Sequence, residues 1–307
     1  MVALLSVALL FGMVVSAAAF GALLAEFSQI RLIQAIQGAA VATVVLNVAA
    51  LWKQEARDPA RTAGGVPRPA FTDAWRALRQ QGPWTRRLAV AVIGAAAFSM
   101  QDVLLEPYGG QVLQLGVGAT TTLTALLAGG SIVGIAAAAR LLGLGHEPHR
   151  VAALGALSGI VAFVAVVFAA PFASVPLFTA GTALIGLGGG LFAHATLTAC
   201  MRAAPEGQIG LALGAWGAAQ ATAAGCAIAL GGLLRDGVAG WAEAGGLGDT
   251  LATPATGYGA VYLLEVVLLF ATLAAIGPLV RTTTPAAAGE AGPPPSPGLG
   301  AAGFPPS

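Results

Sequence analysis

Apolar stretches of about 20 residues recur along this chain, at residues 2–24, 32–51, 88–105, 115–142, 151–170, 175–200, 209–233 and 258–280. Wound as an α-helix at about 1.5 Å per residue, a stretch of that length matches the hydrocarbon thickness of a bilayer. Inside lipid every backbone N–H and C=O has to find its partner within the protein, which an isolated apolar stretch achieves only as a helix. The repetition predicts an all-α membrane protein with about eight transmembrane helices. Charged residues are 9% of the 307, against roughly 25% in soluble domains, which argues against an aqueous fold. The 43 glycines, with aromatics at 7%, favour closely packed membrane helices. No Lys or Arg precedes the first stretch, so it is read as a span and not as a cleaved signal. The net charge of +1 gives no argument for nucleic acid, and Cys200 and Cys226 fit neither a metal spacing nor a disulfide framework.

Orientation follows from the basic residues. Lys53, Arg57, Arg61, Arg68, Arg76, Arg79, Arg86 and Arg87 lie between the second and third stretches, and Arg140, Arg150, Arg202 and Arg281 fall on the same side. Only Arg31 and Arg235 lie opposite. Twelve of the 14 basic residues therefore mark one side as cytoplasmic, with both termini on it. Four regions result: residues 1–53 hold two spans, 54–87 form a basic cytoplasmic linker, 88–281 form a six-helix unit, and 282–307 form a Pro/Gly/Ala-rich tail expected to be disordered. Within the linker, Phe71, Trp75 and Leu78 recur at helical spacing and predict an amphipathic interfacial helix.

Six spans after a long basic loop resemble the C-terminal half of a major facilitator superfamily protein, whose halves pack as repeats around a midplane cavity. Gly134, Arg140, Gly143 and Arg150 in GIAAAARLLGLGHEPHR resemble a weakened form of that superfamily's cytoplasmic loop motif, lacking the usual acidic partner. A closer resemblance is carried by GALLAEFSQIRLIQAIQGAAVATVVLNVAALWKQEARDP, MQDVLLEPYGG, GVGATTTLTAL and GLGGGLFAHATLTACM. These are similar to the PucC/LhaA family of photosynthetic bacteria, from about residue 2 to residue 280. The resemblance implies a multi-pass protein of the intracytoplasmic photosynthetic membrane that assembles light-harvesting antennae. Its partners would be antenna polypeptides and the lipid bilayer, with bacteriochlorophyll as candidate cargo and no cofactor required. Family members have about twelve spans, and counterparts of the first four are not found ahead of residue 2. Some members have carried the label of a bacteriochlorophyll synthase subunit, yet the sequence holds no catalytic or metal-binding constellation, so no enzyme is expected. The alternatives are a transporter of a small molecule or tetrapyrrole, and a truncated inactive fragment.

Polar residues inside apolar stretches are the site candidates, because each is costly in lipid unless it has a partner. Gln101, Asp102, Glu106 and Tyr108, in SMQDVLLEPYGGQVL, are a candidate polar docking site. Asp102 and Glu106 are four apart and share a helix face. Pro107 is expected to stop the helix, with Gly109 and Gly110 forming a tight turn. Three roles are open for this stretch: hydrogen bonding between helices, docking of an antenna polypeptide or pigment, and proton coupling by Asp102. His194, Gln220 and Glu265 are candidate intramembrane polar sites. His194 is either an interhelical hydrogen-bonder or a ligand for bacteriochlorophyll magnesium, with Gly188, Gly189 and Gly190 admitting a flat ring. Glu265 is either a functional acid or a hydrogen-bonding carboxyl, and Gln220 is a packing group. Gly130/Gly134 and Gly210/Gly214 have the small-xxx-small spacing of close helix contacts.

Overall fold

The computed structural model describes residues 28–51, 70–80, 82–205 and 207–283, with scattered positions among the first 27. Among these, seven helices are long and apolar enough to cross a membrane: Gln29–Ala50, Trp84–Gln111, Gly118–Gly143, Pro148–Ala169, Val175–Ala203, Ile209–Glu243 and Pro254–Val280. The described residues contain no strand. Most of the span predicted at residues 2–24, much of the 54–87 linker and nearly all of the tail lie outside the described residues.

The helices are labelled in chain order: α1 (Gln29–Leu51), α2 (Phe71–Arg79), α3 (Trp84–Ser99), α4 (Leu105–Gln111), α5 (Val117–Gly143), α6 (Pro148–Ala169), α7 (Val175–Ala203), α8 (Ile209–Glu243) and α9 (Pro254–Thr283). Their ends obey local chemistry. The carboxylate of Glu147 accepts the Arg150 N–H at 2.8 Å with Pro148 opening α6, and Ser174 Oγ accepts the Leu177 N–H at 3.3 Å ahead of α7. These caps satisfy donors that a helix start leaves bare.

α7 is the central element, packed on both α5 and α6. Contact is backbone to backbone. A Cβ on Gly155 of α6 would lie 2.7 Å from the Gly188 carbonyl oxygen of α7, and one on Gly188 would lie 2.8 Å from that of Gly155. The predicted Gly130/Gly134 pair of α5 likewise seats against the backbone of Ala183 and Leu187. The Gly210/Gly214 pair does not make the expected contact: nothing lies within 4 Å of where a Cβ would sit on either residue. That spacing permits close approach without supplying a neighbour, and here the face points out of the bundle. α9 packs on α6, α3 and α8, and none of the residues of α1 whose burial is described is buried.

The end of α8 differs from expectation. α8 runs 35 residues, so it passes the end of its expected span at residue 233 and stays helical as far as Glu243. Its Ala/Gly-rich composition has no proline before Pro254 to end the helix. The amphipathic helix predicted around Trp75 is present as α2, and its Leu78 is buried against the bundle beside Trp84, Cys200 and Ala212.

Candidate functional site

The span that begins at Trp84 is broken. α3 ends at Ser99, Met100–Val103 forms a 3-10 turn, and the chain re-enters helix at Leu105. The predicted stop at Pro107 is therefore a correction: Pro107 is the third residue of α4, in the first turn where a helix needs no N–H from it. Gly109 and Gly110 are helical and form no turn. A Cβ on Gly109 would lie 3.2–3.3 Å from Leu115, Leu123 and Phe178 side chains, so the glycine serves packing.

The break joins two stretches that are far apart in sequence. Glu265 of α9 is 0% exposed, and its Oε1 accepts the backbone N–H of Gln101 at 2.8 Å. Side chains that enter the hydrogen-bond ladder are a recognised cause of helix breaks. Gln101 Nε2 in turn donates to Asp102 Oδ1 at 2.5 Å and to the Phe98 carbonyl at 3.3 Å. Gln101 Oε1, Tyr262 Oη and Glu265 Oε2 are buried with no hydrogen-bond partner among the described residues.

The four residues of the candidate docking stretch separate. Asp102 and Glu106 are exposed, and Glu106 accepts Thr124 Oγ1 of α5 at 2.5 Å. Gln101 and Tyr108 are buried. The Tyr108 hydroxyl donates to the Val166 carbonyl at 3.1 Å, and its ring packs on Phe178, Tyr258 and Tyr262 at centroid distances of 5.0, 5.4 and 5.6 Å.

At the end of the bundle beyond the break lies a clasp not singled out from sequence. Arg235 Nη2 of α8 donates to Gln111 Oε1 at 2.8 Å and to the Tyr258 hydroxyl at 3.1 Å, and that hydroxyl donates to Gln111 Oε1 at 2.9 Å. The guanidinium sits 4.6 Å from the Tyr258 ring centroid. The available signal was Arg235 itself, one of two basic residues off the basic side. Beside the clasp, Tyr108, Gln111, Val112, Val167, Leu251 and Thr256 help line a cavity of about 580 Å³.

At the opposite, basic end, Arg86 Nε donates to the Ala275 carbonyl at 3.1 Å, and His149 Nδ1 contacts Glu147 Oε1. Arg140 and Arg150 are exposed there, in the last turn of α5 and the first turn of α6, and Gly134 lies further inside α5 against α7.

Midway along the bundle, Gln220 and Trp216 of α8 face Phe98, Ser99 and Gly189 across a cavity of about 330 Å³. Trp216 Nε1 donates to Thr196 Oγ1 at 3.3 Å. His194 is half-buried on α7. Of the three glycines expected to admit a ring, Gly188 and Gly190 are filled by the backbone of Gly155 and Ser131, and only Gly189 faces the cavity. Among the described residues no group of three His, Cys, Asp or Glu is placed to hold a metal.

A family model described as PUCC protein matches residues 1–284. The chain belongs to the PucC family. It is 55% identical over 281 residues to a Rhodobacter capsulatus protein described as an uncharacterized protein in the puhA-bchM intergenic region, covering 91% of this chain and 59% of that one. It is 54% identical over 241 residues to Protein PucC of Rhodovulum sulfidophilum, covering 77% and 53%. A Rhodobacter capsulatus relative named bacteriochlorophyll synthase 44.5 kDa chain is 32% identical over 242 residues, covering 75% and 54%. The chain thus spans between half and three-fifths of the length of these PucC-family relatives. PucC proteins are membrane proteins, and the seven apolar helices agree with that.

Proposed function

We propose that this chain is an integral membrane assembly factor for bacteriochlorophyll-binding light-harvesting antenna complexes, acting without catalysis of its own. Membership of the PucC family over residues 1–284 carries the reading. The fold supports a surface for it. Gly210, Gly214 and Gly225 of α8 are exposed with nothing within 4 Å and share one helix face, while Gly217 lines the cavity at Gln220. Small residues let a second transmembrane helix approach closely, and an antenna polypeptide is such a helix. Gln220 flanks the stripe as a hydrogen-bonding group, and Asp102 and Glu106 add exposed acids toward one membrane surface. Bacteriochlorophyll is the candidate cargo, with His194 as the side chain to test for magnesium ligation. The basic end faces the cytoplasm in this reading, and residues 88–281 act as the six-helix half of a major facilitator-like fold.

The test is complementation in a purple bacterium deleted for its PucC-type proteins. Near-infrared absorbance should show restored antenna, and antenna polypeptide should co-purify with the chain. Gly214→Phe should abolish co-purification while leaving the chain in the membrane. Absorbance that stays at the deletion level overturns the proposal. A transporter is the second reading, favoured by the cavity at Gln220 and Ser99. Uptake of a tetrapyrrole by vesicles containing the chain would support it.

A further inference from the structure

We propose that Glu265 is a positioning residue: its side-chain oxygen holds the break at Met100–Val103 in place and thereby fixes how Asp102 is presented at the protein surface. The observations form one chain of contacts. Glu265 is wholly buried and lies on α9, and its Oε1 takes the Gln101 N–H at 2.8 Å. Gln101, 1% exposed, spends its side-chain amide on Asp102 Oδ1 at 2.5 Å and on the Phe98 carbonyl at 3.3 Å. Asp102 itself is exposed. An interior acid, a buried backbone amide and a surface carboxylate are thus connected in series, and only the last can meet anything outside.

Chemistry says why an acid-sized acceptor belongs at this place. A 3-10 turn has poorer internal hydrogen-bond geometry than an α-helix, and in lipid a backbone N–H without a good acceptor is costly. An acceptor reaching across from another helix offsets that cost and fixes the angle at which the second half of the span leaves. α4 is that second half. It carries Glu106, which faces α5, and Gln111, which joins the clasp with Arg235 and Tyr258. The break is held at its base by Glu265 and beyond it by the clasp, so the base contact is the one that decides the orientation of residues 100–104.

The role requires an oxygen at the reach of a glutamate and does not require its charge. Glu265→Gln keeps both length and acceptor. Glu265→Asp keeps the acid and loses one methylene of reach. Amide hydrogen exchange is measured by mass spectrometry on the full chain in lipid nanodiscs. Retention of fold is checked by thiol labelling, since Cys200 is buried and Cys226 exposed. Exchange of the peptide over residues 100–104 should stay within about twofold of wild type in the glutamine variant. It should rise about tenfold in the aspartate variant, the effect of losing one buried hydrogen bond. Wild-type exchange in the aspartate variant, or fast exchange in the glutamine variant, overturns the proposal. If the aspartate variant exposes Cys200, a nitroxide at Val103→Cys in a Cys226→Ser background carries the decision. Its mobility in the glutamine variant should match that of the parent, and increased mobility overturns the proposal. The significance of Asp102 for a partner rests on the assembly reading, but exchange and mobility report the break alone. A failure here leaves antenna complementation untouched, and a failure of complementation leaves this result standing.

Discussion

Tyr108 meets three aromatic side chains and one backbone carbonyl, and its two parts are separable. The hydroxyl makes one bond, to the Val166 carbonyl, while the ring packs on Phe178, Tyr258 and Tyr262. Interhelical hydrogen bonds in membranes average about 0.6 kcal/mol, whereas truncating a buried aromatic costs about 3–5 kcal/mol in soluble cores. Tyr108→Phe should therefore lower stability by about 1 kcal/mol or less, and Tyr108→Ala by about 3 kcal/mol or more, measured by unfolding in mixed micelles. Equal losses would mean that the hydroxyl, not the ring, holds α4 to α6. At the surface, Asp102 gives a different test. A docking acid that works through hydrogen bonding should tolerate Asp102→Asn better than Asp102→Leu, read as antenna absorbance in the complementing strain. A proton-coupling acid should lose function in both, because neither replacement titrates. The candidate docking stretch stood out in the sequence because it puts acids in an apolar run. Its division into an inward pair and an outward pair was not, because the break that turns Asp102 away from Tyr108 depends on Glu265, more than 160 residues along the chain.

Helices in this protein carry two kinds of glycine, and substitution should tell them apart. At Gly155 and Gly188 the backbones of α6 and α7 leave no room for even a methyl group. Gly188→Leu should force those helices apart, costing about 1–3 kcal/mol or more by overpacking, and should appear as lost folded protein in size-exclusion chromatography. Gly214→Leu on α8 meets open space and should leave the fold intact. If it lowers antenna co-purification all the same, the stripe is an interface and not a packing surface. The positions of the seven described spans followed from apolar length, except for the end of α8, and the close-contact pair in α5 followed from its spacing. The α8 pair has the same spacing and no neighbour, because spacing encodes how close an approach is permitted and says nothing of who approaches. Pro107 shows the same limit for helix ends: the residue that breaks a helix interior is at home in a first turn, and only the location of the preceding break decides which applies.

For the molecule as a whole, the distribution of basic residues fixes the expected topology. A reporter fused after Arg281 should be active on the cytoplasmic side, and one inserted near Gly245 on the opposite side. Reversed activities would invert every assignment of membrane side made above. Arg235→Leu, which detaches α8 from the clasp and leaves the Tyr258–Gln111 bond between α9 and α4, should loosen that far end without changing the reporters. The length of α8 has a further consequence. At about 1.5 Å per residue its 35 residues extend roughly 52 Å, while the hydrocarbon layer is about 30 Å thick. Accommodating the whole helix within that layer would need a tilt of about 55°, beyond the 0–40° range that membrane helices adopt. The last turns must therefore project past the lipid like a mast. Trp241, exposed near the tip, stands where an indole ring would ride in the headgroup layer, so bilayer thickness itself becomes a variable to which α8 is sensitive.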